Sequence, residues 1–191
     1  AGYLVRNETT GNRHGLARTI GDLDSALRSA IAGGEVLHEV VIGTAPLRAM
    51  LDLDASQTDI DATGFTRDSV WAMTINAFVD SLGSLGSRDE IIARVAAASS
   101  SDDSKLSAHI LYTGSLMADH KEVRGFLDAV RDSLPDSLRA FVDAGHVCAQ
   151  FGLRLVGCSK EGRRKVPLQH SIDNGLVTLR DYLVQPSARS P

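Results

Sequence analysis

The 191-residue sequence predicts a helix-dominated α+β domain of six or seven helices and a few short strands. Three observations lead there. Apolar residues recur at helical spacing in several segments, as in Leu23, Ala26, Leu27, Ala30 and Ile31. Only nine residues are aromatic, so the core must be built from Leu, Val, Ile and Ala. Three short apolar or β-branched segments, 36–42, 107–113 and 153–158, read as strands. An all-α chain, or an α/β fold in which those three segments form one small parallel sheet, is the alternative.

Residues 1–14 read as an N-terminal arm or edge strand, 15–185 as a single globular domain and 186–191 as a polar tail. A first helix is expected over 22–32, closed by Gly33-Gly34. Thr44-Ala45-Pro46 resembles an N-cap with proline in the first turn, opening a short helix to Leu51. Residues 52–64 then read as an acidic loop. A helix over 67–82 follows, capped by Thr66 or Asp68. Ser87 and Glu90 form a capping box for a helix from Ile91 to Ala98, and Ser99 to Ser104 read as a mobile loop. Residues 106–117 fit a buried strand or an apolar helix. Helices are expected at 120–133, after Pro135, and at 174–183.

Charge is unevenly placed. Residues 1–150 hold 13 Lys or Arg against 21 Asp or Glu, a net of −8, whereas residues 151–191 hold 7 against 3, a net of +4. The basic excess gathers in the loop 159–170, where Lys160, Arg163, Arg164 and Lys165 are the candidate phosphate- or nucleic-acid-binding residues. Gly162 lets the backbone bend toward such a ligand. The acidic stretch contains two D-x-D pairs, Asp52/Asp54 and Asp59/Asp61. Carboxylates at that density can hold Mg²⁺ or Ca²⁺, or can cap helices and stay solvated, the commoner use. The EF-hand pattern fails, with Gln57 at the position that needs Gly and Thr63 where Glu is required.

The six histidines are dispersed and form no zinc-type spacing, and there is no P-loop or dinucleotide fingerprint, so no cofactor and no metal are indicated. Cys148 and Cys158 read as two buried thiols of an intracellular, reducing compartment. No apolar run is long enough for a membrane span. With no catalytic constellation in view, whether the chain is an enzyme stays open. The leading functional expectation is a self-associating, non-catalytic subunit of a larger assembly, of helical-coat or nucleocapsid character. Its acidic body and basic C-terminal part pair between copies as a homo-oligomer, and the basic loop contacts RNA or other phosphates. The second expectation is a small enzyme or binding protein for a phosphorylated ligand, Mg²⁺-dependent through Asp52 or Asp54.

Overall fold

A computed structural model describes residues 2–168 and 178–186. The chain runs β1 (Tyr3–Asn7), β2 (Arg13–Ala17), α1 (Ile20–Ala32), β3 (Leu37–Ile42), β4 (Met50–Ser56), α2 (Gln57–Thr63), α3 (Arg67–Ser81), α4 (Arg88–Ile92), β5 (Val95–Ser99), β6 (Lys105–Tyr112), α5 (His120–Asp132), β7 (Gln150–Arg154), β8 (Ser159–Lys160), β9 (Arg163–Arg164) and β10 (Val166–Pro167). Short 3₁₀ turns cover Asp136–Phe141 and Leu179–Tyr182.

The strands make two four-stranded antiparallel sheets and one hairpin. Sheet one has the order β2-β1-β3-β7 and sheet two β10-β5-β6-β4, with β8 and β9 paired on their own. This corrects the expected fold class. The chain is 38% helical and 29% strand, an α+β fold in which helices do not dominate. The parallel-sheet alternative is excluded too. Strands β3 and β7 are antiparallel neighbours in sheet one, while β6 belongs to sheet two.

Two misreadings account for most of the difference. Residues 50–56, expected as the end of a short helix and the start of an acidic loop, form β4. Leu51, Leu53 and Ala55 are buried on one face, and Asp52 and Asp54 alternate onto the other. Residues 95–99, expected as the end of a helix (to Ala98) and the start of a mobile loop (from Ser99), form β5. Alanine favours helix weakly, but pairing with β6 on one side and β10 on the other satisfies the backbone and overrides that preference. The capping box at Ser87 does open a helix, and it stops at Ile92. The segment 159–170, expected as one loop, contains β8, β9 and β10. Tyr3–Asn7 lies between β2 and β3, inside a sheet. The helix expected at 174–183 falls partly outside the described residues, which show only the 3₁₀ turn from Leu179; beyond Pro186 the tail lies outside them as well.

Helices α3 and α5 cover the apolar face of sheet two, with Phe78 edge-on to Phe126 at 5.2 Å. Leu51, Leu53, Ile110, Leu111, Val123 and Leu127 are all but sealed from solvent there. Helix α1 covers sheet one through Leu23, Leu27 and Ala30, in a smaller cluster with Tyr3, Val5 and Leu37. A C-terminal strap joins the halves. Buried Arg48 donates to the carbonyls of Arg180 (2.7 Å), Asp181 (3.1 Å) and Leu183 (2.9 Å). Buried Glu39 on β3 accepts from the amides of Val184 and Gln185, each at 2.8 Å. Among the described residues, no helix is long and apolar enough to cross a membrane.

Candidate active site

The polar face of sheet two meets the end of sheet one across a cavity of about 280 Å³. Strand β4 supplies Asp52 and Asp54. Strand β6 supplies their cross-strand partners, because Asp52 sits opposite His109 and Asp54 opposite Ser107. Residues directly opposite share a face, so the register gathers two carboxylates, an imidazole and a hydroxyl on one patch. Ala98 of β5 pairs with His109 and adds only a methyl to that face. Sheet one supplies His38 from β3 and Arg154 from β7, which are also directly paired. The β8–β9 hairpin supplies Lys160 and Arg163. Its two-residue turn, Glu161-Gly162, has positive φ at both positions (53° and 79°), the geometry that a tight hairpin demands and that glycine tolerates.

Five Lys or Arg side chains and three carboxylates line the cavity, an excess of two positive charges. Lys105 Nζ lies 2.7 Å from Asp54, and His109 Nε2 lies 3.6 Å from Asp52. Arg154 donates to Ser100 Oγ at 2.7 Å and to the carbonyl of Arg163 at 3.2 Å, tying sheet one to the β5 end and the hairpin. Glu8 holds Lys160 at 2.8 Å and His38 at 2.7 Å. Those two partners, Lys160 first, hold the Glu8 carboxyl below the usual range.

Burial shapes the charges. Lys165 is 1% exposed, and no carboxylate lies within ion-pair distance of it among the described residues. Its ammonium is pushed down to about 7 by burial, with the Asp52 charge opposing the change. The Asp52 carboxyl is pushed up to about 6, again by burial first, with Lys165 opposing. Burial and then the charges of Lys165 and Arg154 hold His109 well below the ordinary imidazole value, so the ring is neutral at pH 7.

A third carboxylate stands at the β4 edge. The Asp143 amide donates to the Asp52 carbonyl at 3.0 Å, next to a bridge between Leu53 and Val142. Asp52, Asp143 and His146 each offer one ligand atom, and these atoms lie within 4.8 Å of one another. Carboxylate oxygens clustered this closely suit a hard divalent cation. Lysines and arginines across the cavity suit the oxygens of a polyphosphate.

Of the residues singled out in the sequence, Lys160, Arg163 and Lys165 line the cavity. Arg164 does not; it is exposed and donates to the Gly157 carbonyl at 3.2 Å. The two D-x-D pairs part company. Asp52 and Asp54 enter the site, whereas Asp59 and Asp61 serve helix α2, bonded to Ser56 and Gln57. Sequence reasoning missed Ser107, His109, Asp143 and His146. The alternation in Met50–Ala55 and in Lys105–Leu111 was the available signal for the first two. Cys158 is buried as expected, but Cys148 is exposed; both are free thiols. No family model matches this chain, and no curated protein matches it in sequence.

Proposed function

We propose that this chain is a metal-dependent nucleotidyltransferase that takes a nucleoside triphosphate and joins its nucleotidyl group to a nucleic-acid hydroxyl. One observation carries the reading: Asp52 and Asp54 line a cavity that also holds Lys105, Arg154, Lys160, Arg163 and Lys165, and Asp143 and His146 stand beside Asp52. Carboxylates grouped in this way hold the divalent cations of phosphoryl-transfer sites, and such cations polarise the phosphoryl oxygens and activate the attacking hydroxyl. An excess of two positive charges, with a divalent cation added, suits a polyphosphate better than a single phosphate.

The nucleophile comes from the second substrate. Among the described residues the cavity contains no cysteine, and its serines are already engaged, Ser100 with Ser107 and Arg154. The acceptor oxygen gives its proton to a carboxylate of the site or to water and bonds to the α-phosphorus while the bond to the bridging oxygen breaks and pyrophosphate leaves. Lys165 and Arg154 are placed to neutralise that leaving group. His109, neutral and 3.6 Å from Asp52, adds no charge beside the metal-binding carboxylate.

A second, smaller depression of about 130 Å³ lies on sheet one, lined by Arg6, His14, Val40, Gln150, Phe151 and Gly152. Arg6 is paired in register with His38, the sheet-one histidine of the main cavity. The Arg6 guanidinium offers a contact to a phosphodiester of the acceptor. The assembly reading rests on the charge split and on the want of a catalytic constellation in the sequence, and most of the basic residues behind that split line this cavity.

The test is pyrophosphate release and chain extension with Mg²⁺ or Mn²⁺, the four common nucleoside triphosphates and a short primed or unprimed template. Asp54→Asn should lower the rate by about 10²–10³-fold or more with the fold intact by circular dichroism. Release of inorganic phosphate without acceptor would indicate a phosphohydrolase instead. Absence of triphosphate binding in the presence of either metal would overturn the reading.

A further inference from the structure

His146 has an unusual setting beside the aspartates. Both of its ring nitrogens are closed to solvent, and neither has a hydrogen-bond partner among the described residues. Nδ1 lies 3.3 Å from Asp143 Oδ2 but is not aligned with it as a hydrogen bond. The side chain is 23% exposed through its carbon edge, yet nitrogens closed in this way leave their hydrogen-bonding capacity unmet unless something sits between them and their neighbours. The ring is also held in place. It stands edge-on to Phe151, with centroids 5.7 Å apart and planes at 77°.

The backbone bond from Asp143 to Asp52 holds β4 against the loop that precedes β7. Asp143 Oδ1 accepts from the Gly145 amide at 2.8 Å, leaving Oδ2 toward His146. The ligand atoms lie within 4.8 Å of one another, so a shared ion about 2.1–2.3 Å from each is reached once the side chains close in on it.

We propose that Asp52, Asp143 and His146 bind one divalent cation, and that His146 makes the site select Mn²⁺ over Mg²⁺. The claim rests on the metal-dependent reading above and adds the identity of the ion. Mg²⁺ demands oxygen ligands and gives up its waters reluctantly, whereas Mn²⁺ stands above it in affinity for sites containing imidazole nitrogen. Two carboxylate oxygens and one nitrogen occupy three positions and leave the rest for phosphate oxygens. Asp54, on the same face as Asp52 and 2.7 Å from Lys105, is then free to serve a second cation when phosphate draws Lys105 away.

The experiment is Mn²⁺ binding to the full chain without nucleotide, followed by electron paramagnetic resonance and by competition with Mg²⁺. In the wild type, bound Mn²⁺ should show hyperfine coupling to a histidine nitrogen and bind at least about tenfold more tightly than Mg²⁺. His146→Ala should remove the coupling and weaken Mn²⁺ about 10–100-fold, leaving Mg²⁺ within about threefold. His146→Asp, which keeps a ligand and so guards against a folding artefact, should restore divalent binding and bring the two affinities within about threefold. Mn²⁺ bound without nitrogen coupling, or a selectivity unchanged in His146→Ala, would overturn the proposal and leave nucleotidyl transfer standing. Nitrogen-coupled Mn²⁺ on a protein that binds no triphosphate would support this site and sink the proposed reaction.

Discussion

The two sheets bring opposite chemistry to one cavity, on supports of different stiffness. Sheet two carries Asp52, Asp54, Ser107 and His109 on β4 and β6, which are backed by the larger core. Sheet one carries His38 and Arg154, and its cationic reach is extended by a two-strand hairpin held through exposed Glu8 and Lys160. Metal ligands tolerate little displacement, so a rigid strand with a packed reverse face suits them. Phosphate oxygens are long-range acceptors that several cations can share, and an adjustable hairpin suffices. The difference teaches that the carboxylate half is set by core packing and the cationic half by surface pairing.

Lys165 tests the boundary between the halves and should show the largest effect. Lys165→Met should raise the KM for triphosphate at least about tenfold, since a buried cation facing phosphate is lost. The same change should leave the melting temperature of the ligand-free protein equal or higher, because a buried ammonium without an ion-pair partner costs stability. A lower melting temperature with unchanged KM would make Lys165 a structural residue of sheet two.

The pH dependence of stability sharpens the same point. Asp52, held near 6 instead of 3.8, keeps its proton in the folded state after the unfolded chain has lost it, so stability falls as pH rises through that window. Lys165, held near 7 instead of 10.5, has lost its proton while the unfolded chain keeps it, so stability rises again above 7. Denaturant titrations of the metal-free protein should therefore show a minimum between pH 6 and 7. Saturating Mn²⁺ should fill in the acid side by competing with the proton on Asp52. A monotonic profile would separate the two groups.

Arg163 and Arg164 make the next contrast. Arg163→Ala should weaken triphosphate binding severalfold and flatten its salt dependence, whereas Arg164→Ala should change binding and stability within about 0.5 kcal/mol. Equal effects in isothermal titration would mean that the whole hairpin acts as a diffuse basic patch. Glu8→Gln should also have a small effect. The exposed pair with Lys160 is worth at most about 1 kcal/mol, so triphosphate affinity should move by less than about fivefold in either direction.

Much of the local structure was legible because its signals are local. The cap and periodicity of α1, the N-cap of α3 at Thr66 and the helix over 120–132 need only neighbouring residues. The failures lie where partners distant in sequence decided the outcome. Val95–Ser99 is a strand because β6 and β10 flank it, and nothing in an alanine run announces that. Met50–Ser56 looked like a loop because its aspartates drew attention from the alternating leucines beside them. Asp143 and His146 carry no signal that ties them to Asp52, ninety-one residues upstream of Asp143.

By itself the sequence determined an ordinary globular core, a set of capped helices, and a basic segment whose Lys160, Arg163 and Lys165 do face a shared cavity. Charge and periodicity are properties of consecutive residues and survive without a fold. Only the tertiary structure decided what that segment faces. Antiparallel register placed Asp52 against His109, and sheet one against sheet two placed both against Arg154. Burial then moved Asp52 and Lys165 toward each other in acidity, because desolvation penalises whichever form is charged and acts only once the chain has closed around both.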